Sequence, residues 1–105
     1  MVNKLFRKWI QMTVSQDLAE TVALKALGWL VTQDEVVSVF LGATGASVDD
    51  LRDRASDTDF LGSVLEFLTM DDSWVMAFCD ANALAYEMPL QAAHQLLGEA
   101  RAHWT

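Results

Sequence analysis

The chain has 105 residues, 52% of them hydrophobic, with five Gly, one Pro and a formal net charge of −8. That composition is too apolar for disorder, too poor in Gly and Pro for a loop-rich fold, and sufficient for one domain around one core. A single cysteine, Cys79, excludes an internal disulfide and a thiolate metal site and points to a reducing, cytoplasmic setting.

The first predicted element runs from Val2 to Met12. Val2, Leu5, Phe6, Trp9 and Ile10 recur at helical spacing with Lys4, Arg7, Lys8 and Gln11 opposite, the pattern of a short basic amphipathic helix. Its cations are placed like those of a signal peptide, but Gln11, Thr13, Ser15 and Gln16 interrupt any apolar run behind them, so secretion is not expected. A second helix is predicted from about Ser15 to Thr32, with Asp17, Glu20, Thr21, Lys25 and Gly28 as a narrow polar stripe. So little polar surface places it at the centre of a bundle, with Ala26 and Gly28 small enough to admit a neighbouring helix. Its apolar stretch from Val22 to Val31 contains Lys25 and is too short to span a bilayer.

Thr32-Gln33-Asp34-Glu35 reads as a capping box opening a third helix that buries Val36, Val37, Phe40 and Leu41. Gly45 fits a left-handed C-cap, and Ser47 then caps a short helix from Val48 to about Ala55 that turns Val48, Leu51 and Ala55 inward. Asp57 or Thr58 opens the next helix, whose Phe60, Leu61, Val64, Leu65 and Leu68 form a wide apolar stripe reinforced by Phe67. A cap at Asp71 or Asp72 precedes a helix with Trp74, Val75, Phe78 and Cys79 on one face. Pro89 suits the first turn of a last helix with a stripe of Leu90, Ala93, Leu97 and Ala100. No segment alternates with period two over a strand's length.

Three blocks carry a resemblance: AETVALKALGWL from Ala19 to Leu30, VFLGATGASVDDLRDRA from Val39 to Ala55, and FLGSVLEFLTMDDSWVMAFCD from Phe60 to Asp80. Their spacing resembles the small alphaproteobacterial proteins grouped as domain of unknown function 3572, over about Leu18 to the C-terminus. The resemblance implies a small all-helical cytoplasmic protein and assigns no activity to any residue. Residues 1–11 lie outside it, and Met12 is a second candidate initiator.

Charge narrows the partners. All fifteen acidic residues lie at Asp17 or beyond, and removing Lys4, Arg7 and Lys8 from the net charge leaves −11 on the remainder. Such a body repels a phosphate backbone, so no nucleic-acid partner is expected. Gly45 followed by Ser47-Val48-Asp49-Asp50-Leu51 has the spacing of a helix-turn-helix corner, but a recognition helix there would set Asp49, Asp50 and Asp53 against phosphates. Asp57-Thr58-Asp59-Phe60-Leu61-Gly62 imitates the opening of a calcium loop, yet Leu61 and Leu68 stand where oxygen ligands are required. His94 and His103 are not an i, i+4 metal pair, Cys79 shares an apolar face, and no glycine precedes a phosphate-binding Lys-Ser or Lys-Thr. No metal and no cofactor are expected.

The sequence therefore predicts an all-α fold: a compact orthogonal bundle of five or six short helices around one long central helix. Residues 1–11 form a separate basic helix and residues 12–105 a single all-helical domain. Trp9 and Trp104 lie near the ends of the chain, and Leu5, Phe6, Trp9, Ile10 and Trp104 are the expected interaction surface. The functional expectation is a non-enzymatic cytoplasmic protein-interaction or regulatory module. Its partner would be another protein or a second copy forming a homodimer. The alternatives are a peripheral membrane-surface adaptor using the basic helix, a small enzyme, or a helix-turn-helix DNA binder.

Overall fold

A computed structural model describes the backbone of residues 14–102 and the side chains of residues 14–98. Within it the chain forms α1 (Gln16–Val31), α2 (Asp34–Thr44), α3 (Val48–Asp53), α4 (Thr58–Leu68), α5 (Asp72–Asn82) and α6 (Met88–Ala102), with no strand among the described residues. Four helix starts are fixed by side chains that satisfy otherwise unpaired amides of the first turn. Ser15 Oγ accepts from the Leu18 amide at 3.1 Å, and Asp57 Oδ1 from the Asp59 amide at 3.0 Å. Asp71 Oδ1 accepts from the amides of Ser73 and Trp74 at 2.8 and 3.3 Å. Ser47 and Asp50 cap each other's backbone reciprocally, a full capping box.

The long helix α1 is the hub, packing chiefly on α6 and α4, then on α2, and more lightly on α5. It buries Ala19, Val22, Ala23, Ala26, Leu27 and Leu30. Three alanines on this face let neighbouring backbones come close, while Leu27 and Leu30 fill the space between them. Helix α4 is the most apolar element and buries Phe60, Leu61, Val64, Leu65, Phe67 and Leu68. Phe40 of α2 lies edge-on to both Phe60 and Phe67, and Trp74 stacks on Phe67 at 5.1 Å between ring centroids. No buried polar or charged residue interrupts this core among the described residues.

Several local expectations are corrected. Thr32 does not open α2: its hydroxyl donates to the Trp29 carbonyl at 2.6 Å, closing α1, and Gln33 precedes α2 without a side-chain cap. The junction has only two residues, Thr32 and Gln33, between the two helix ends, so Thr32 is claimed by the helix it finishes. Val48 is 68% exposed instead of facing the core, because α3 is only six residues long and turns Leu51 inward. In α6 the buried stripe is Pro89, Ala92, Ala93 and Leu96, with Leu90 49% exposed. Small residues, instead of the leucine spacing, set that register, because α6 crosses α4 at Gly62, where an added Cβ would lie 2.7 Å from Leu97 Cδ2. Gly28, expected to admit a neighbouring helix, has no atom within 4 Å of a built Cβ and faces open space. Gly45 takes the left-handed conformation at φ 74° as expected of its C-cap, and Ala83 does the same at φ 55° after α5.

Candidate functional site

The polar side chains that could do chemistry are engaged in local structure. Hydrogen bonds from Ser73 and from the first-turn amides hold the Asp71 carboxyl below its ordinary range, because they stabilise the anion. Asp57 and Asp59 sit at the start of α4, one as cap and the other in the first turn, and no group of three metal-ligating side chains gathers among the described residues. Cys79 is fully buried on α5, and its thiol donates to the Ala85 carbonyl at 3.4 Å. Burial first, then the charges of Asp80 and Glu87, push that thiol above its usual value, the opposite of nucleophile activation. The Tyr86 hydroxyl donates to Asp80 at 2.8 Å, which raises its own pKa. His94 is exposed on α6.

A concave feature lies elsewhere. A cleft of about 520 Å³ opens between the second half of α1, the middle of α2 and the start of α3. Leu24, Leu27, Gly28 and Val31 line it from α1, Val37 and Leu41 from α2, and Val48, Leu51 and Arg52 from α3. Leu24, Val31 and Val48 are 48%, 45% and 68% exposed, so three large aliphatic side chains stand together in contact with solvent. Arg52 lies 3.6 Å from Asp49, in a pair so exposed that it contributes little to stability. Carboxylates stand on the same helices beyond the lining, in which Arg52 is the one charged side chain. Asp17 and Glu20 occupy the same face of α1, two turns and one turn before Leu24 respectively, and Asp34 sits one turn before Val37 on α2. None of the three forms an ion pair among the described residues.

A second cleft, about 420 Å³, lies between α2, α4 and the start of α5, with Met70 at its edge 77% exposed. Asp71 borders it but is committed to capping α5.

The expected interaction residues Leu5, Phe6, Trp9, Ile10 and Trp104 lie outside the described residues, as does His103. The α2–Gly45–α3 corner exists, but its second helix has six residues and places Leu51 in the core. The sequence reading missed the cleft. Its signal was the pair Leu24 and Val31, seven residues apart on either side of Gly28, which puts two aliphatics and a gap on one helix face.

The model of the family described as Protein of unknown function (DUF3572) matches residues 16–99. The chain belongs to this family. The match begins at the first residue of α1, takes in all five other helix starts and ends within α6. No curated protein and no solved structure matches the chain. No helix among the described residues is long and apolar enough to cross a membrane.

Proposed function

We propose that this DUF3572 protein is a non-enzymatic interaction module of the reducing cytoplasm, whose partner surface is the cleft between α1, α2 and α3. The partner it fits is a basic amphipathic helix. The observation that carries this reading is the joint exposure of Leu24, Val31 and Val48 around one concavity. Exposed aliphatics gathered in a groove are the usual seat of a helix laid in by its apolar face. Asp17, Glu20 and Asp34 around the cleft favour cations on the flanks of that helix. The same negative body, with −8 overall, opposes nucleic acid.

The test compares the tagged protein with a Leu24→Glu/Val48→Glu variant in capture from native cells, followed by mass spectrometry. Both positions are exposed enough for the variant to keep its helical circular dichroism spectrum. The expected result is a partner held by the parent and lost by the variant. Partners retained equally by both would refute the reading.

A further inference from the structure

We infer that the second cleft, between α2, α4 and the start of α5, takes the arginine side chain of a partner protein. This site is separate from the α1–α2–α3 cleft, and neither reading depends on the other. Its lining offers hydrogen-bond acceptors and withholds donors. The Thr44 hydroxyl donates its hydrogen to the Phe40 carbonyl at 2.8 Å, and the Ser63 hydroxyl donates its own to the Phe60 carbonyl at 2.6 Å, so either oxygen can meet a ligand only as an acceptor. The charged side chains of the lining are Glu66 and Asp71, both acidic. Asp71 caps α5 through Oδ1, which accepts from the amides of Ser73 and Trp74 and from the Ser73 hydroxyl; none of these bonds falls on Oδ2.

The helix ends add to this polarity. Ala43 and Thr44 are the last two residues of α2, and Glu66 and Phe67 lie in the last turn of α4, so the negative poles of two helices meet at the cleft. Neither last turn carries a basic residue to offset its pole. The opposite pole, at the start of α5, is already answered by Asp71 Oδ1. Acceptors spread over three helices suit a planar cation with five donors better than a compact ammonium with three. Trp74 also lines the cleft, held by its stack on Phe67 at 5.1 Å, and supplies an aromatic surface for a guanidinium. Val39 and Met70 complete the lining at 45% and 77% exposure. A small free cation would leave these two apolar side chains in water, whereas the residues flanking an arginine in a protein cover them.

The experiment titrates the isotopically labelled full chain with a blocked Leu-Arg-Leu tripeptide and follows backbone amides by NMR. Saturable shifts at Thr44, Ser63 and Trp74 are expected. Citrulline in place of the arginine, neutral and close in shape, weakens binding about ten-fold or more, because the charge-assisted bonds are lost. Asp71→Asn keeps a capping oxygen and should weaken the arginine peptide while the helical circular dichroism spectrum persists. Val39→Lys leaves the cap untouched and fills the cleft with a cation of its own, so it should abolish binding; Leu24→Lys, at the other cleft, should not. Equal weakening by the two lysine variants reduces the effect to attraction by the net charge and overturns the proposal. Shifts that do not saturate, or a citrulline peptide that binds as well as the arginine one, also overturn it. Blocked arginine alone binding as tightly as the tripeptide overturns the protein partner in favour of a small free cation, and a lysine peptide of equal affinity overturns the choice of guanidinium.

Discussion

Gly62→Ala tests the packing of α4 on α6, where a single methyl group decides the sign of the effect. In an exposed helix interior, replacing Gly with Ala stabilises by about 0.5–1 kcal/mol, since it restricts the unfolded chain and favours the helix. Gly42 on α2 meets that condition, with no atom within 4 Å of a built Cβ. At Gly62 the same Cβ would lie 2.7 Å from Leu97 Cδ2 and 2.8 Å from Leu97 Cγ, with Leu96 Cβ at 3.4 Å. Because Cγ is hit as well as the terminal methyl, rotation about χ2 alone does not clear the clash, so Leu97 must leave its χ1 rotamer in a packed interface or α6 must move. Overpacking of this kind costs about 1–3 kcal/mol, which outweighs the helix term and leaves a net loss of about 1–2 kcal/mol. Urea melts followed by circular dichroism should therefore separate Gly42→Ala from Gly62→Ala by about 2 kcal/mol at unchanged m-value. In a Leu97→Ala background the obstruction is gone, and Gly62→Ala should turn stabilising by about 0.5–1 kcal/mol. The reasoning is refuted if Gly62→Ala stabilises the parent chain as much as Gly42→Ala does.

Other consequences follow from the same structure. Leu65→Ala, at a fully buried position in α4, should cost about 2–5 kcal/mol in denaturant melts, and a loss below about 1 kcal/mol would contradict its central place in the core. Ala83→Gly should stabilise by about 0.5–1 kcal/mol, because it removes the Cβ penalty at φ 55° at the end of α5; a loss of stability would argue against the left-handed cap. Cys79 should react with a mild thiol reagent at neutral pH only as fast as the protein opens, and rapid stoichiometric labelling of the native state would revive a nucleophile. The folded pKa of Asp71 lies below its unfolded value, so its charged cap adds stability above the unfolded value and loses it as pH falls through the folded one. Wild type should exceed Asp71→Asn at pH 7, with the gap closing below about pH 4; a gap constant down to acid pH would separate the cap from its charge.

The features legible in the sequence were those with local causes. Ser15, Ser47, Asp57 and Asp71 act as caps because a short oxygen-bearing side chain before an apolar repeat has few other uses. Gly45 reveals its turn because only glycine takes that conformation without penalty. Phe60 to Leu68 reads as core because its apolar face is too wide for any exposed helix. Features set by tertiary geometry were not legible. The α6 register depends on Gly62, far away in sequence on α4, Thr32 serves α1 because the next helix begins so soon, and Ala83 adopts a glycine's conformation without a glycine's signal. Val48 was expected to turn inward, and neither Leu24 nor Val31 was singled out. What leaves them exposed is the brevity of α3, which cannot cover the end of α1.

That shortfall gives the cleft its energetic character. Covering what remains exposed of Leu24, Val31 and Val48 recovers roughly half of a full aliphatic burial at each, about 3 kcal/mol together. A contribution of that size is worth about a hundred-fold in the affinity of a helix laid in the cleft. The polar groups cannot supply the difference, because Ser47, Asp50, Asp57 and Asp71 are committed to helix ends and Arg52 is already beside Asp49. Selectivity must then come from shape in the groove and from cations meeting Asp17, Glu20 and Asp34. A basic helix suits that surface, and an acidic one is turned away by the chain's net charge of −8.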